Sequence, residues 1–200
     1  MSELYVSRLL ISHKEQFMHR LFNEYQIHQL VYSFFPQETQ RQFLYFLDYG
    51  GMRGMKIIIQ SFEPPMCKAP WHIEVKKLPE EFLSFSRYSF LLRYAPVSKC
   101  NGKVREVHTR EDEAVEWLCR RSRKYGVEFE AQSMEKIDSG KIVMSFSSRD
   151  DITISYVDVS GLLNVTDFSL FIETIKNGIG PYKGFGLGLL QLRPAMEVSK

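Results

Sequence analysis

The 200-residue sequence predicts an α+β fold of two tandem units, because one order of strands and helices occurs twice along the chain. The second half follows the order β-α-β-β-α-β with one short strand beyond it, and the first half follows this order less completely. Between the two halves lies an irregular, proline-containing stretch, residues 61–81. We therefore expect two tandem ferredoxin-like domains, residues 1–80 and residues 87–200.

The first half begins with alternating apolar residues that predict a strand over residues 4–11, with Val6 among those facing the core. Apolar residues at helical spacing then continue to Phe35, and Asn23 can interrupt them as the cap of a new helix. Pro36 ends this region, because proline disfavours the helical conformation of the residue before it.

A hairpin and a linker complete the first half. Residues 43–48 and 55–60 are predicted as two strands joined by the glycine-rich turn YGGMRG. Residues 61–81 contain several prolines and form the best linker candidate, although Trp71 and Ile73 indicate that the stretch packs on something.

The second half opens with the strand RYSFLLRY, followed by a helix that Thr109 caps and that acidic residues begin. Gly126 can end the basic run RRSRKYG, and residues 127–134 are predicted as a strand. KIVMSF and ITISYVDVSGLL then form a predicted hairpin. Thr166 caps a last helix, and the final strand is LGLLQLRP.

Tyr25 and His28 are three residues apart in the predicted helix, so their side chains share one face. Phosphodiester cleavage by a neighbouring 2′-hydroxyl needs a base for that proton, an acid for the leaving 5′-oxygen and groups that steady the phosphorane. Histidine side chains suit proton transfer near neutrality, and a tyrosine hydroxyl could orient the nucleophile or the phosphate. Without further information, such a pair is more often a packing and capping pair near a core edge.

The segment NGIGPYKGFGLGLL is rich in glycine, with Gly178, Gly180, Gly184, Gly186 and Gly188. The spacing is not GxGxxG, and the loop follows a helix and precedes a strand, the reverse of a dinucleotide-binding turn. Glycines let backbone amides approach a phosphate backbone closely, and Lys183 adds a cation. A tight helix-to-strand connection explains the glycines equally well.

Basic residues gather in three places, although the net charge is only +2 and any nucleic-acid site must therefore be a local patch. Each cluster could bind RNA phosphates, and each is also typical of a solvated surface. The dipole of the preceding helix already explains the second cluster. The clusters are Lys99, Lys103 and Arg105; Arg120, Arg121, Arg123 and Lys124; and Lys136, Lys141 and Arg149.

The residues that usually bind metals are scattered. Cys67, Cys100 and Cys119 lie far apart without a CxxC pair, which disfavours a zinc site and a disulfide framework. The other histidines show no metal-ligand spacing, and HExxH and phosphate-binding-loop motifs are absent. We therefore expect no metal, no small-molecule cofactor and a reducing, cytoplasmic location. The sequence also has no signal-peptide pattern and no apolar run of about 18 residues, so no membrane partner is expected.

Four segments together resemble the CasE family, the CRISPR repeat-cleaving endoribonucleases of Cascade-type complexes within the RAMP superfamily. EYQIHQLVYSFFP looks like the family's catalytic helix, and YSFLLRYAPVSK resembles the strand that opens the family's second domain. EDEAVEWLCRRSRKYG matches a helix of the family in its position along the chain and in its residue pattern. The ending IKNGIGPYKGFGLGLLQLRP is similar to the long C-terminal signature G-x-G-x-x-K-x-x-G-x-G-L-L. The resemblance runs almost from end to end.

This resemblance implies two ferredoxin-like domains and a metal-independent cut, in which the 2′-hydroxyl attacks and leaves a 2′,3′-cyclic phosphate and a 5′-hydroxyl. His28 matches the catalytic histidine, Tyr25 matches its partner tyrosine, and Lys183 falls in the glycine-loop position. The implied partners are a CRISPR repeat RNA stem-loop, the mature crRNA and the other subunits of a Cascade-type complex.

Two positions depart from the family pattern. Some members carry a basic residue five positions after the histidine, where this chain has Ser33, so another group would have to stabilise the phosphorane or cleavage would be slow. The family's Ala-Asn-Pro is Tyr94-Ala95-Pro96 here. A non-catalytic RNA-binding subunit of the same kind of complex therefore stays open as the alternative, and a scaffold without an RNA role is a third possibility.

Duplex RNA hides its base edges in a deep, narrow groove, so a protein reads the shape and backbone of a hairpin first. We expect one concentrated patch to hold a single stem-loop and to keep the product bound. Its expected members are Lys141 and Arg149 of the late hairpin and Lys183, Gly180, Gly184 and Gly186 of the glycine-rich segment.

Overall fold

The computed structural model describes residues 3–36, 41–50, 54–100, 103–106, 111–146 and 149–195. The helices are α1 (His13–Met18), α2 (Glu24–Ser33), α3 (Glu111–Cys119) and α4 (Phe168–Asn177). The strands are β1 (Tyr5–Ile11), β2 (Phe43–Asp48), β3 (Met55–Ser61), β4 (Ile73–Lys77), β5 (Arg87–Tyr94), β6 (Val97–Cys100), β7 (Lys103–Glu106), β8 (Val127–Phe129), β9 (Glu135–Phe146), β10 (Arg149–Val165) and β11 (Leu190–Pro194). Within these ranges, no helix is long and apolar enough to cross a membrane.

The first half forms an antiparallel sheet in the order β2-β3-β1-β4. Asn23 does interrupt the helical region, since its side chain accepts a hydrogen bond from the Gln26 amide and begins α2. The linker prediction is wrong for residues 73–77, because these form β4 and pair with β1. The predicted glycine-rich turn lies partly outside the described residues.

The core of the first half lies between its sheet and α2. β1 contributes Ser7, Leu9 and Ile11 to the buried face. Val6 was predicted to face this core, but it projects from the other face of the strand and lines a small cavity with Leu189 of the second half. On this other face, only Val6 of the described β1 residues contacts the second half, because Arg8 and Leu10 further along the strand are exposed to solvent.

The sheet of the second half has the order β11-β5-β10-β8. This is the order of the first sheet read from its other edge, β4-β1-β3-β2, so the predicted ferredoxin-like fold class is confirmed. The strand over residues 127–134 was predicted too long, because only β8 is extended and a 3-10 turn follows it. Gly126 does end the preceding turn, with a φ of 67°. The cap of α4 is Asp167 rather than Thr166, and the predicted cap Thr109 lies outside the described residues.

Two additions enlarge the second half beyond the repeated plan. β6 and β7 form a small hairpin that the sequence pattern did not indicate. β9 pairs with β10, and β10 spans 17 residues, so this long hairpin extends past the sheet. Its far end packs through Ile142 and Ile154 on Leu187 of the glycine-rich segment.

The two halves pack together through a small apolar cluster in which Leu44 and Phe46 of β2 meet Leu189. Beside it, the Arg93 guanidinium makes two 2.7 Å hydrogen bonds to the Asp158 carboxylate. A third donor of the same guanidinium bonds the Leu47 carbonyl oxygen at 2.7 Å. The bond to Leu47 joins the first half to the second, and the nearly buried ion pair within the second half holds the guanidinium in place for it.

Candidate functional site

The site begins with helix α2, whose surface is divided into two stripes. Ile27 and Val31 point into the core of the first half and are almost fully buried. Tyr25, His28 and Tyr32 follow one another at spacings of three and four residues, so they form a second stripe on an adjacent face. The structure therefore places Tyr25 and His28 side by side, as the helical spacing predicts.

The glycine loop, residues 178–188, closes over this second stripe. The Gly184 carbonyl oxygen lies 2.6 Å from His28 Nδ1. Because a carbonyl oxygen can only accept a hydrogen bond, Nδ1 must carry the proton in this contact. The other ring nitrogen, Nε2, is then the atom of the neutral ring that can take up a proton from a substrate.

Aromatic rings on both sides hold the His28 imidazole in place. Tyr32 lies 4.2 Å from it between ring centroids, and Phe185 of the glycine loop lies 5.0 Å away. Tyr25 is nearly parallel to the imidazole at 6.1 Å, with 16° between the ring planes. Phe185 is itself packed against the apolar cluster of the long hairpin that includes Ile142. The ring orientation is thus set by both halves of the molecule.

Tyr45 of β2 supports the same carbonyl from below. Its hydroxyl donates a 2.9 Å hydrogen bond to the Gly184 oxygen, and the side chain is almost fully buried. Burial raises the pKa of Tyr45 well above its usual value, so the hydroxyl remains a donor throughout the physiological range. Sequence reasoning missed Tyr45, because at its position the sequence shows only an apolar strand.

Lys183 precedes Gly184 and is half-buried. Its pKa lies below the usual value, first because of burial and then because of the nearby positive charges of Arg41 and Lys124. Lys183 and Gly180 line an open groove of about 780 Å³. Arg121 and Lys124 line the same groove, so the dipole of the preceding helix is not the only explanation of this basic cluster.

The remaining predicted binding residues are spread over the surface. Gly186 lies in the glycine loop with a φ of 80°, and a methyl group there would meet the Tyr45 ring at 3.1 Å. Lys141 is exposed and neighbours the buried Ile142 in β9, so it points away from the face of the hairpin that packs on the glycine loop. Arg149 begins β10, and its side chain lies outside the described part of the chain.

Comparison with known proteins agrees with the fold of two ferredoxin-like units. A sequence profile of the family described as "CRISPR associated protein" matches residues 4–194. The chain therefore belongs to this family. A curated relative is the CRISPR system Cascade subunit CasE of Escherichia coli strain K12, which is 27% identical over 85% of this chain and 92% of that protein. The resemblance to the CasE family is thus confirmed.

Solved structures show the same fold over nearly the whole chain. Thermus thermophilus Cse3, determined bound to an RNA representing a pre-cleavage complex, superposes with a TM-score of 0.81 at 22% identity, covering 96% of this chain and 100% of that one. The CRISPR-associated protein Cas6e from Escherichia coli K-12 gives a TM-score of 0.65 at 24% identity, with coverage of 96% and 100%.

Proposed function

We propose that this protein is a metal-independent endoribonuclease that cuts CRISPR repeat RNA and stays bound to the mature crRNA within a Cascade-type complex. The observation that carries the proposal is the imidazole of His28, which the Gly184 carbonyl holds in the form that leaves Nε2 available for proton transfer. The CasE relative is a Cascade subunit, and the Cse3 neighbour was determined with RNA before cleavage. Both support the proposed function.

In the proposed reaction, the 2′-oxygen of the RNA attacks the adjacent phosphorus and the bond from phosphorus to the 5′-oxygen breaks. The 2′-hydroxyl proton leaves to a base, and the departing 5′-oxygen receives a proton. The products are a 2′,3′-cyclic phosphate and a 5′-hydroxyl. His28 Nε2 takes part in this proton transfer, and Tyr25, on the same stripe, orients the nucleophile or the phosphate.

RNA binding is assigned to the glycine loop with Lys183, Gly180, Gly184 and Gly186, and to the long hairpin with Lys141 and Arg149. The half-buried Lys183 beside the open groove supports the first assignment. Because Lys141 projects from the outer face of the hairpin, the stem-loop would have to span two surfaces to reach both groups.

The proposed architecture is one N-terminal domain, residues 1–80, and one C-terminal domain, residues 87–200. The two sheets support this division, because the strands of the first lie within residues 5–77 and those of the second within residues 87–194. We place the protein in the cytoplasm, which suits the free thiols of Cys67 and Cys119.

The test is single-turnover cleavage of a labelled repeat RNA hairpin in excess chelator by the wild type and by His28→Ala. Loss of one general acid-base group typically slows a reaction by about 10²–10⁴-fold, and RNA binding should be nearly intact. His72→Ala is the matched control, since His72 is exposed and lies outside the site. Cleavage that stops with chelator, or that survives in His28→Ala, would contradict the mechanism.

A non-catalytic RNA-binding subunit is the second candidate, favoured by Ser33 at the position where some family members carry a cation. Ser33 ends α2, and its hydroxyl donates to the Leu30 carbonyl oxygen at 2.6 Å. That reading predicts tight hairpin binding without cleavage in both the wild type and His28→Ala. A scaffold without an RNA role predicts no salt-dependent affinity for the hairpin.

A further inference from the structure

Arg41 lies beside the His28 site although it is distant from both His28 and the glycine loop in sequence. It stands two residues before Phe43, the first residue of β2. The Phe43 ring packs on Tyr32 at 4.9 Å, and Tyr32 packs on His28. Tyr45, two residues further along β2, bonds the Gly184 oxygen. Alternate positions of an extended chain share one side, so Arg41 occurs on the side of β2 that faces the site.

The Arg41 guanidinium has one buried donor, Nε–H, that no acceptor among the described residues satisfies. Within the same part of the chain, no carboxylate forms an ion pair with it, whereas the buried Arg93 has Asp158. Buried N–H donors without an acceptor are costly, so such a group commonly marks the place of a ligand.

Lys183 brings a second cation to the same place. It directly precedes Gly184, whose carbonyl holds His28, and it is close enough to Arg41 for the two charges to repel each other. Burial together with this repulsion lowers the pKa of Lys183 below its usual value. Two cations that repel each other near His28 are stabilised when an anion binds to both of them.

We propose that Arg41 and Lys183 form a phosphate clamp that binds the scissile phosphodiester and stabilises the negative charge of the phosphorane. This inference rests on the proposed endoribonuclease function. RNA supplies one phosphodiester next to His28, and a guanidinium can bond two of its oxygens at once. Fixed donors aimed at the developing charge are a large term in enzyme catalysis. The clamp thus supplies the positive charge that Ser33 does not.

The experiment measures two quantities for the wild type, Arg41→Ala, Arg41→Lys and Arg8→Ala. One is the single-turnover cleavage rate at saturating repeat RNA hairpin. The other is the salt dependence of affinity for the same hairpin made uncleavable by deoxynucleotides. Arg8→Ala is the matched control, because Arg8 is an exposed arginine of the first sheet that pairs with Glu74. Thermal melting checks that each variant is folded, and Arg41→Lys keeps the test valid if Arg41→Ala does not fold.

The clamp predicts that Arg41→Ala cleaves about 10²–10³-fold more slowly than Arg8→Ala, as for the loss of one donor to a transition-state oxyanion. Arg41→Lys should lie between, because it keeps the charge but not the planar fork. The slope of log affinity against log salt should fall by about one unit in Arg41→Ala, since one phosphate contact is lost.

Equal cleavage rates in Arg41→Ala and Arg8→Ala would overturn the clamp while leaving the endoribonuclease function intact. A reduced salt slope with an unchanged rate would also overturn it, because Arg41 would then bind a phosphate away from the cut. If the wild type itself does not cut, the endoribonuclease function fails. The phosphate site is then tested by the salt dependence of hairpin affinity alone. An unchanged salt slope in Arg41→Ala would refute that site.

Discussion

Helices α2 and α3 occupy the same place in the two repeated units, as the longer helix between the first and second strands of each sheet, but they use their surfaces differently. α3 directs Ala114, Trp117 and Leu118 into the core of its own unit. α2 directs Ile27 and Val31 into its core and turns a second stripe, with His28 at its centre, toward the other half.

The difference teaches that the site belongs to the junction between the units rather than to either unit. The first half contributes side chains, namely His28 on α2 and Tyr45 on β2. In the hydrogen bonds that orient them, the second half contributes backbone, because the Gly184 carbonyl receives hydrogen bonds from both side chains. The ten residues of α2 can both pack the core and carry His28 toward the second half, because the two groups of side chains lie on adjacent faces of the helix.

The largest expected effect comes from breaking the contact that fixes the two halves. Arg93→Ala should lower the free energy of unfolding by about 3–5 kcal/mol, because it leaves the Asp158 carboxylate buried without its partner. Arg87→Ala is the control, since the Arg87–Glu130 ion pair is more exposed, with side chains 35% and 27% accessible. Its expected loss is about 0–1 kcal/mol. Urea denaturation measures both, and equal losses would show that leaving the Asp158 carboxylate without Arg93 is no more costly than breaking an exposed pair.

The second effect concerns the backbone contributed by the glycine loop. Gly188 has a φ of 84°, and an added methyl group would meet the Ile179 carbonyl oxygen at 2.5 Å. Gly188→Ala should therefore cost about 2–3 kcal/mol of stability, through backbone strain and the clash. At Gly184 the same methyl group would meet Tyr32 Oη at 3.4 Å and His28 Cε1 at 3.6 Å, ordinary contacts.

Gly184→Ala is thus the matched control for Gly188→Ala, with an expected change within about 0.5 kcal/mol. Thermal melting of the two variants separates them. If both lose the same stability, the loop conformation does not depend on the left-handed backbone at Gly188.

The sequence predicts those helices and strands that are marked by residues within the element itself. Asn23 begins α2 because its own side chain caps the helix. β2 and β3 are recognisable as a hairpin because both are apolar and a glycine-rich turn joins them in the sequence. β4 could not be predicted in this way, since only Ile73 of its five residues is buried and the strand shows no alternation. Val6 was misassigned because it packs toward Leu189 of the second half rather than into the core of its own unit.

The candidate site also contains some residues that the local sequence reveals and others that it does not. The His28 helix and the glycine loop carry enough local pattern to be recognised as family segments. Tyr45 and Arg41 carry none, because their surroundings exist only after β2 is placed against a loop about 140 residues later in the chain. Their places beside the glycine loop depend on long-range packing, which a single sequence does not display.

The smallest expected effect concerns the hydrogen bond between the Tyr45 side chain and the Gly184 backbone carbonyl. Tyr45→Phe removes one of the two hydrogen bonds to the Gly184 oxygen and should cost about 1 kcal/mol of stability. If Tyr45 positions the carbonyl for His28, the fraction of His28 with the proton on Nδ1 should also fall. The cleavage rate should fall by about tenfold, the equivalent of about 1.4 kcal/mol.

Nitrogen-15 chemical shifts of the His28 ring report which nitrogen carries the proton, which a merely structural tyrosine would not change. Tyr49→Phe is the control, because the Tyr49 hydroxyl bonds Glu24 at 3.1 Å on a largely exposed side chain. If Tyr45→Phe loses stability but keeps both the Nδ1 proton and the cleavage rate, the Gly184 carbonyl is held by the glycine loop alone. The second half would then orient His28 without help from β2.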